Sequence, residues 1–149
     1  MKFFTAAVAL IAAAVANAQV PYTDCAPGSD LTIDTFTLSP YPFCVGQNVC
    51  ATGTGTLSVP VTAPSTLSIV GTYFGSTVYT DSYDVCALMA AQGYPCPVPT
   101  SLTSLTMCIM VQPTAPTGIP VVLTVSATNG NGNTLFCQTG TVTAAACSS

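Results

Sequence analysis

Five aspartates, Asp24, Asp30, Asp34, Asp81 and Asp84, are the only acidic side chains of this sequence, which has no histidine, glutamate, arginine or tryptophan and a single lysine, Lys2. Paired carboxylates can hydrolyse glycosides when they face each other across a substrate. Asp30 and Asp34, and Asp81 and Asp84, are close pairs in sequence, but two residues of one strand or loop do not flank a sugar, and no tryptophan platform accompanies them. Serine nucleophiles lack a histidine or lysine to activate them. No catalytic residue is assigned, and the chain does not read as an enzyme.

The other reactive set is eight cysteines: Cys25, Cys44, Cys50, Cys86, Cys96, Cys108, Cys137 and Cys147. Zinc sites favour Cys-x-x-Cys spacing or a mixed set with histidine, and neither occurs. Redox catalysis needs a thiolate stabilised by a cation or a Cys-x-x-Cys turn. An even count in an exported chain reads instead as a disulfide framework, whose pairing the count alone leaves open among about 105 possibilities. Asn129-Gly130-Asn131-Gly132-Asn133 alternates like a calcium loop but lacks the acidic ligands and the closing glutamate, so it reads as a turn. No metal and no cofactor is expected.

The elements that hold these residues begin after a leader. Lys2, an apolar run to Val15 and Ala16-Asn17-Ala18 form a signal peptide over residues 1–18, with cleavage before Gln19. The run is too short to span a bilayer comfortably, which takes roughly 20 residues. Residues 19–149 then form one domain, without a basic side chain. Nucleic acid is excluded as a partner, because binding to its phosphates depends on Lys and Arg displacing counterions. Docking on anionic membranes through a basic patch is excluded on the same ground. Serine and threonine are plentiful, and no Asn-x-Ser/Thr sequon is present.

Apolar residues recur at every second position, the period of a half-buried strand. Leu31 and Ile33 lie on one phase and Phe36 and Leu38 on the other, which predicts a bulge near Asp34. Further strands are expected at Leu57, Val59 and Val61; at Leu67 to Tyr73; at Val78 and Tyr79 after a Gly75-Ser76 turn; at Leu105 to Val111; at Val121 to Val125; and from Leu135 to Val142. Prolines make loops of Ser39-Pro40-Tyr41-Pro42 and of Pro95, Pro97 and Pro99. About seven short strands with no amphipathic helix predict an all-β, disulfide-bonded, immunoglobulin-like two-sheet β-sandwich.

Asp24-Cys25, Leu38-Ser39-Pro40 before Cys44 and Cys50, Gly71 and Gly75, Cys96-Pro97, and Asn133-Thr134-Leu135-Phe136-Cys137 occur in this order across the domain. In these motifs the chain resembles the ML lipid-recognition domain family, which includes fungal phosphatidylglycerol/phosphatidylinositol transfer proteins and sterol carriers of the Niemann-Pick type. The resemblance implies bridges Cys25–Cys137, Cys44–Cys50 and Cys86–Cys96, leaving Cys108–Cys147 as a fourth. It also implies that the sheets stand apart and that their inward rows, Phe36, Leu38, Leu57, Val59, Ile69, Tyr73, Tyr79, Met107, Ile109, Val111, Val121, Leu123 and Val125, line a ligand pocket.

The expected function is that of a secreted or vacuolar-pathway monomer carrying a lipid or sterol noncovalently. Transient membrane contact would occur through mouth-loop aromatics such as Tyr41, Phe43 and Tyr94. The absence of a cation to pair with phosphate tilts the expected ligand toward neutral sterols or broad specificity. Alternation alone does not separate a pocket from a filled core. The rival reading is therefore a secreted structural or cell-surface interaction protein with a packed core.

Overall fold

In the computed structural model, residues 21–147 are described, and the expected signal peptide lies outside them. The chain runs through β1 (Thr23–Asp24), β2 (Leu31–Ser39), β3 (Phe43–Cys44), β4 (Asn48–Leu57), β5 (Thr66–Tyr73), β6 (Ser76–Asp84), α1 (Val85–Ala91), β7 (Ser104–Met110), β8 (Val121–Thr128), β9 (Thr134–Val142) and β10 (Ala144–Ala145). A five-stranded sheet, in the order β1-β9-β8-β5-β6, lies with a three-stranded sheet, β2-β4-β7, and a short parallel pair, β10-β3. The main pairings are antiparallel, and the architecture is an immunoglobulin-like β-sandwich.

The phase change in β2 is real: its register against β4 shifts between Ile33 and Thr35, so Asp34 is the extra residue of a bulge. The strand expected around Leu57, Val59 and Val61 is instead β4, which ends at Leu57. Val59 lies in the bend beyond it, and Val61 makes an isolated bridge with Val98. The inward row of β4 is Val49, Ala51, Gly53, Gly55 and Leu57, alternating with exposed Thr52, Thr54 and Thr56. A Cβ on Gly55 would collide with the Thr32 carbonyl oxygen, so the β2 backbone leans over this row where glycine allows it. The outer face carries hydroxyl ladders, with Thr35 Oγ1 2.6 Å from Thr54 Oγ1 and Thr52 Oγ1 3.2 Å from Thr106 Oγ1.

One helix breaks the expected all-strand pattern. Asp84 caps α1, its carboxylate accepting from Cys86 N at 2.9 Å and Ala87 N at 3.3 Å. The helix buries Val85 and Met89, spaced four apart, and Gly93 turns the chain away with φ 92°. Only two core-facing positions in seven residues left no periodic signal, although the aspartate before an alanine-rich run was a legible start.

Cys25–Cys137 and Cys86–Cys96 form as the resemblance implies. Cys44–Cys50 and Cys108–Cys147 do not: the bridges are Cys44–Cys147 and Cys50–Cys108. Strand pairing explains the exchange. Cys50 is already on β4, directly opposite Cys108 on β7 at a Cα separation of 4.0 Å. The β10 strand lies beside β3 with Ala145 opposite Cys44, which brings Cys147 within reach at a Cα separation of 5.4 Å.

Two apolar clusters fill opposite ends of the sandwich. One, built on Leu57, Val61, Leu67, Val85, Met89, Val98 and Leu135, is sealed by α1. The other gathers Phe43, Val49, Val111 and Val142. At the α1 end the asparagine-rich turn joins β8 to β9 and also clasps the start of β2. Asn129 and Asn131 each donate Nδ2–H to Asp30 Oδ2 at 3.0 Å, and Asn133 donates to Oδ1 at 3.5 Å. Asp30 is 8% exposed. These side chains therefore turn their amide donors toward a carboxylate, which binds the two sheets together.

The Asn129 amide is the main influence that lowers the Asp30 pKa; burial opposes it, and Asn131 and Asn133 add to it. A lowered folded pKa stabilises the fold above the unfolded value of about 3.9, and that contribution is lost as pH falls through the folded value. Asp30→Ala is expected to cost about 2–4 kcal/mol in urea unfolding at neutral pH, with the gap from the native protein closing below pH ~4.

Candidate functional site

Between the sheets lies a partly open cavity of about 100 Å³. A single water needs roughly 10–15 Å³ by the same kind of measure. The wall is almost wholly apolar. β5 and β8 supply Leu67, Ile69, Val121, Leu123 and Val125; β7 and the residue after it supply Met107, Ile109 and Val111; β2 and β4 supply Phe36, Leu38, Val49 and Ala51. A smaller cavity of about 40 Å³ adjoins it toward Leu31 and Leu102, sharing Phe36, Ala51, Met107 and Phe136 as its partition.

The void follows from volumes. On β4, Val49 and Ala51 face the main cavity, and Gly53 and Gly55 bring no side chain to the smaller one. At Gly71 even a Cβ would lie 2.7 Å from Val121 Cγ1 and 3.2 Å from Tyr79 Cβ, so neighbouring side chains already close over this position. Neighbouring residues are held by their own strands and do not collapse into the gap.

Ten of the thirteen expected lining residues reach this wall: Phe36, Leu38, Ile69, Tyr79, Met107, Ile109, Val111, Val121, Leu123 and Val125. Leu57 belongs to the filled end, 5% exposed. Val59 is beyond the end of β4. Tyr73 ends β5 at the hairpin, its ring 4.5 Å from that of Phe74, past the register shift between Gly71 and Thr72. The wall also includes Phe43, Ala115, Pro116, Val142 and Ala144. Val142 ends β9, a strand the sequence showed; the others come from short strands and loops with no period to betray them, although an apolar residue directly before Cys44 was a usable signal.

Of the expected mouth aromatics, Phe43 is 6% exposed and part of the wall. Tyr41 packs edge-on against it at 5.1 Å and accepts from Thr143 N at 3.3 Å. Tyr94 follows α1 and lies at the other end of the sandwich. The exposed aromatic at the cavity end is Phe74, 91% exposed. With φ 50° at Phe74 and 81° at Gly75, this pair forms the two-residue turn that suits a twisted hairpin.

The margin between β6 and β7 is polar. Asp81 Oδ2 accepts from Tyr83 OH at 2.6 Å, from Gln112 Nε2 at 3.1 Å and from Tyr79 OH at 3.2 Å. Desolvation pushes the Asp81 pKa up, but hydrogen bonds from Tyr83, Gln112, Ser82 N–H and Tyr79 outweigh it and hold the carboxyl below the ordinary range. Burial, joined by the carboxylate's hydrogen bond and charge, raises Tyr83 to about 12. Tyr79 is raised too, chiefly by burial. At the opposite margin Tyr22 covers Gly140 and meets Phe36 edge-on at 5.0 Å; burial first, and Tyr41 second, raise its pKa as well. The close aspartate pairs are divided among structural tasks, since Asp84 caps α1 while Asp30 is clasped by the asparagines.

Residues 19–144 match the ML domain family, and the chain belongs to it. Among solved structures, a Niemann-Pick type C2 protein from the Japanese carpenter ant is similar, with a TM-score of 0.66 and 12% identity over 83% of this chain and 98% of that one. Chicken MD-1, crystallised in complex with lipid IVa, has a TM-score of 0.53 and 14% identity over 83% of this chain and 87% of its own. At these identities the likeness is one of fold. No curated protein matches by sequence.

Three of the six tyrosines, Tyr22, Tyr79 and Tyr83, are expected to ionise above the ordinary tyrosine range in a near-ultraviolet alkaline titration. Tyr83→Phe should remove one late-titrating group. An unchanged late phase would show that Tyr83 is not held by Asp81.

Proposed function

We propose that this protein is a secreted, monomeric lipid carrier that shelters a sterol, fatty acid or phospholipid tail, noncovalently, between its sheets. The observation that carries the reading is the apolar cavity where a sandwich of this kind would have a filled core. Membership of the ML domain family supports it, as does the lipid IVa bound by the MD-1 relative. Four disulfides suit an oxidising, extracytoplasmic setting.

The chemistry required is transfer without reaction. Each buried CH₂ contributes about 0.8 kcal/mol, so a long chain offsets the entropic cost of association. Met107, flexible and shared by both cavities, is suited to swing aside and let a longer tail extend into the second. Transient membrane contact is assigned to the cavity end, where Phe74 stands clear of the hairpin tip and Val122, 45% exposed, lies on the neighbouring strand.

Solvent extraction of protein purified from a secreting host, followed by mass spectrometry, should yield lipid in near-stoichiometric amount. Ala51→Leu, which fills the void, and Val111→Phe are expected to cut uptake of a fluorescent fatty acid or sterol about tenfold or more. Ala51→Leu should leave unfolding stability within about 1–2 kcal/mol of native. A protein that extracts clean and binds no probe is instead the packed structural or surface protein.

A further inference from the structure

The two cavities are consecutive stretches of one groove. Its floor is the inward row of β4, where Ala51 belongs to both cavities and Gly53 and Gly55 underlie the smaller one. Its banks are the flanking strands in register: Leu38, Ala51 and Met107 form one rung across β2, β4 and β7, and Phe36, Gly53 and Leu105 form the next. Ile33, opposite Gly55, continues the β2 bank, and on the other side the Gly55 N–H donates to the Thr103 carbonyl at 3.0 Å. From Ala51 to Gly55 the floor runs about 13 Å, at roughly 3.3 Å per residue. The floor is unbroken, and only side chains interrupt the groove.

Phe36, Met107 and Phe136 meet at the partition over Ala51, and they differ in freedom. Phe136 is 3% exposed and belongs to the filled core at the α1 end. Phe36 is held by Tyr22, which meets its ring edge-on at 5.0 Å. Met107 is unbranched, turns about three side-chain bonds, and has the small Ala51 as its cross-strand neighbour. Room is what a lipid tail needs here. An apolar cavity of about 150 Å³ holds one benzene. The main cavity, at about 100 Å³, is smaller, and the next space along the groove is the cavity of about 40 Å³ beyond Met107. A flexible chain can thread past the two phenyl rings once the thioether moves, whereas a rigid fused-ring sterol cannot bend to follow.

We propose that Met107 sets the length of tail this protein accepts, closing the groove beyond Ala51 in the empty protein and lying aside when an unbranched acyl chain extends over Gly53 and Gly55. This rests on the carrier reading and adds the class of ligand, a long unbranched acyl chain in preference to a sterol, together with the residue that measures it.

The test is displacement of N-phenyl-naphthylamine from the intact protein by octanoate and palmitate, which share a head and differ in chain. Palmitate is expected to displace the probe at the lower concentration. Met107→Ile keeps the volume but stiffens the side chain at its branch. Leu102→Phe fills the smaller cavity, whose wall Leu102 joins without reaching the main one. Each is expected to weaken palmitate about tenfold, the scale of about two methylenes returned to water, and to leave octanoate within about twofold of native. Equal displacement by the two acids in the native protein, a palmitate advantage that survives either substitution, or a loss shared equally by both acids overturns the assignment. If a variant does not fold, NMR of the native protein labelled at its methionine methyls decides: palmitate should move the Met107 resonance further than octanoate does, and an equal shift overturns the assignment. Displacement by cholesterol but by neither acid overturns it while sparing the carrier reading. Failure to take up the probe or any of the three ligands defeats that reading, and this one with it.

Discussion

The interior depends on a shortage of side-chain volume along one strand. β4 is the central strand of the smaller sheet, and the middle of its inward row is Ala51, Gly53 and Gly55. Facing sheets stand about 10 Å apart and normally fill the space with interdigitating side chains. Here the central strand of one side contributes little, and the strands opposite are fixed by their own ladders. Ala51 at the main cavity and Gly53 and Gly55 at the smaller one thus leave room that the neighbouring apolar residues line as wall.

A sandwich with an unfilled middle must be held at its ends, and the structure divides that work. At one end α1 pushes Val85 and Met89 under the sheets, and the Asp30 carboxylate gathers the amides of the β8–β9 turn. At the β6–β7 margin Asp81 gathers hydroxyls and an amide from both sheets. No disulfide among the described residues joins a strand of the five-stranded sheet directly to one of the three-stranded sheet: Cys25–Cys137 lies within the larger, Cys50–Cys108 within the smaller, Cys44–Cys147 at the β3–β10 pair, and Cys86–Cys96 around α1. The covalent links stiffen each layer, and noncovalent contacts set the spacing between layers.

The alternating apolar rows of β2, β5, β7, β8 and β9 were legible in the sequence because inward and outward positions differ sharply in polarity, and the bulge at Asp34 showed as a change of phase. β4 escaped for the same reason that the cavity exists: threonine alternating with alanine and glycine carries no hydrophobic period. On β6 the inward position of Tyr79 was legible, but Asp81 and Tyr83 broke the apolar row, and their inward placement shows only once the opposite sheet supplies Gln112 and the Met110 carbonyl as partners. Disulfide pairing was illegible without register, since Cys50 meets Cys108 only once β4 lies beside β7.

The outer faces lead to a different kind of consequence. Thr35, Thr54, Thr52 and Thr106 form rungs on the smaller sheet, and Thr124 and Thr139 on the larger, where most soluble domains display lysine and glutamate. Wetting by alcohol groups does not depend on ionic strength, because there is little charge for salt to screen. Such outer faces meet brine and fresh water with nearly the same coat.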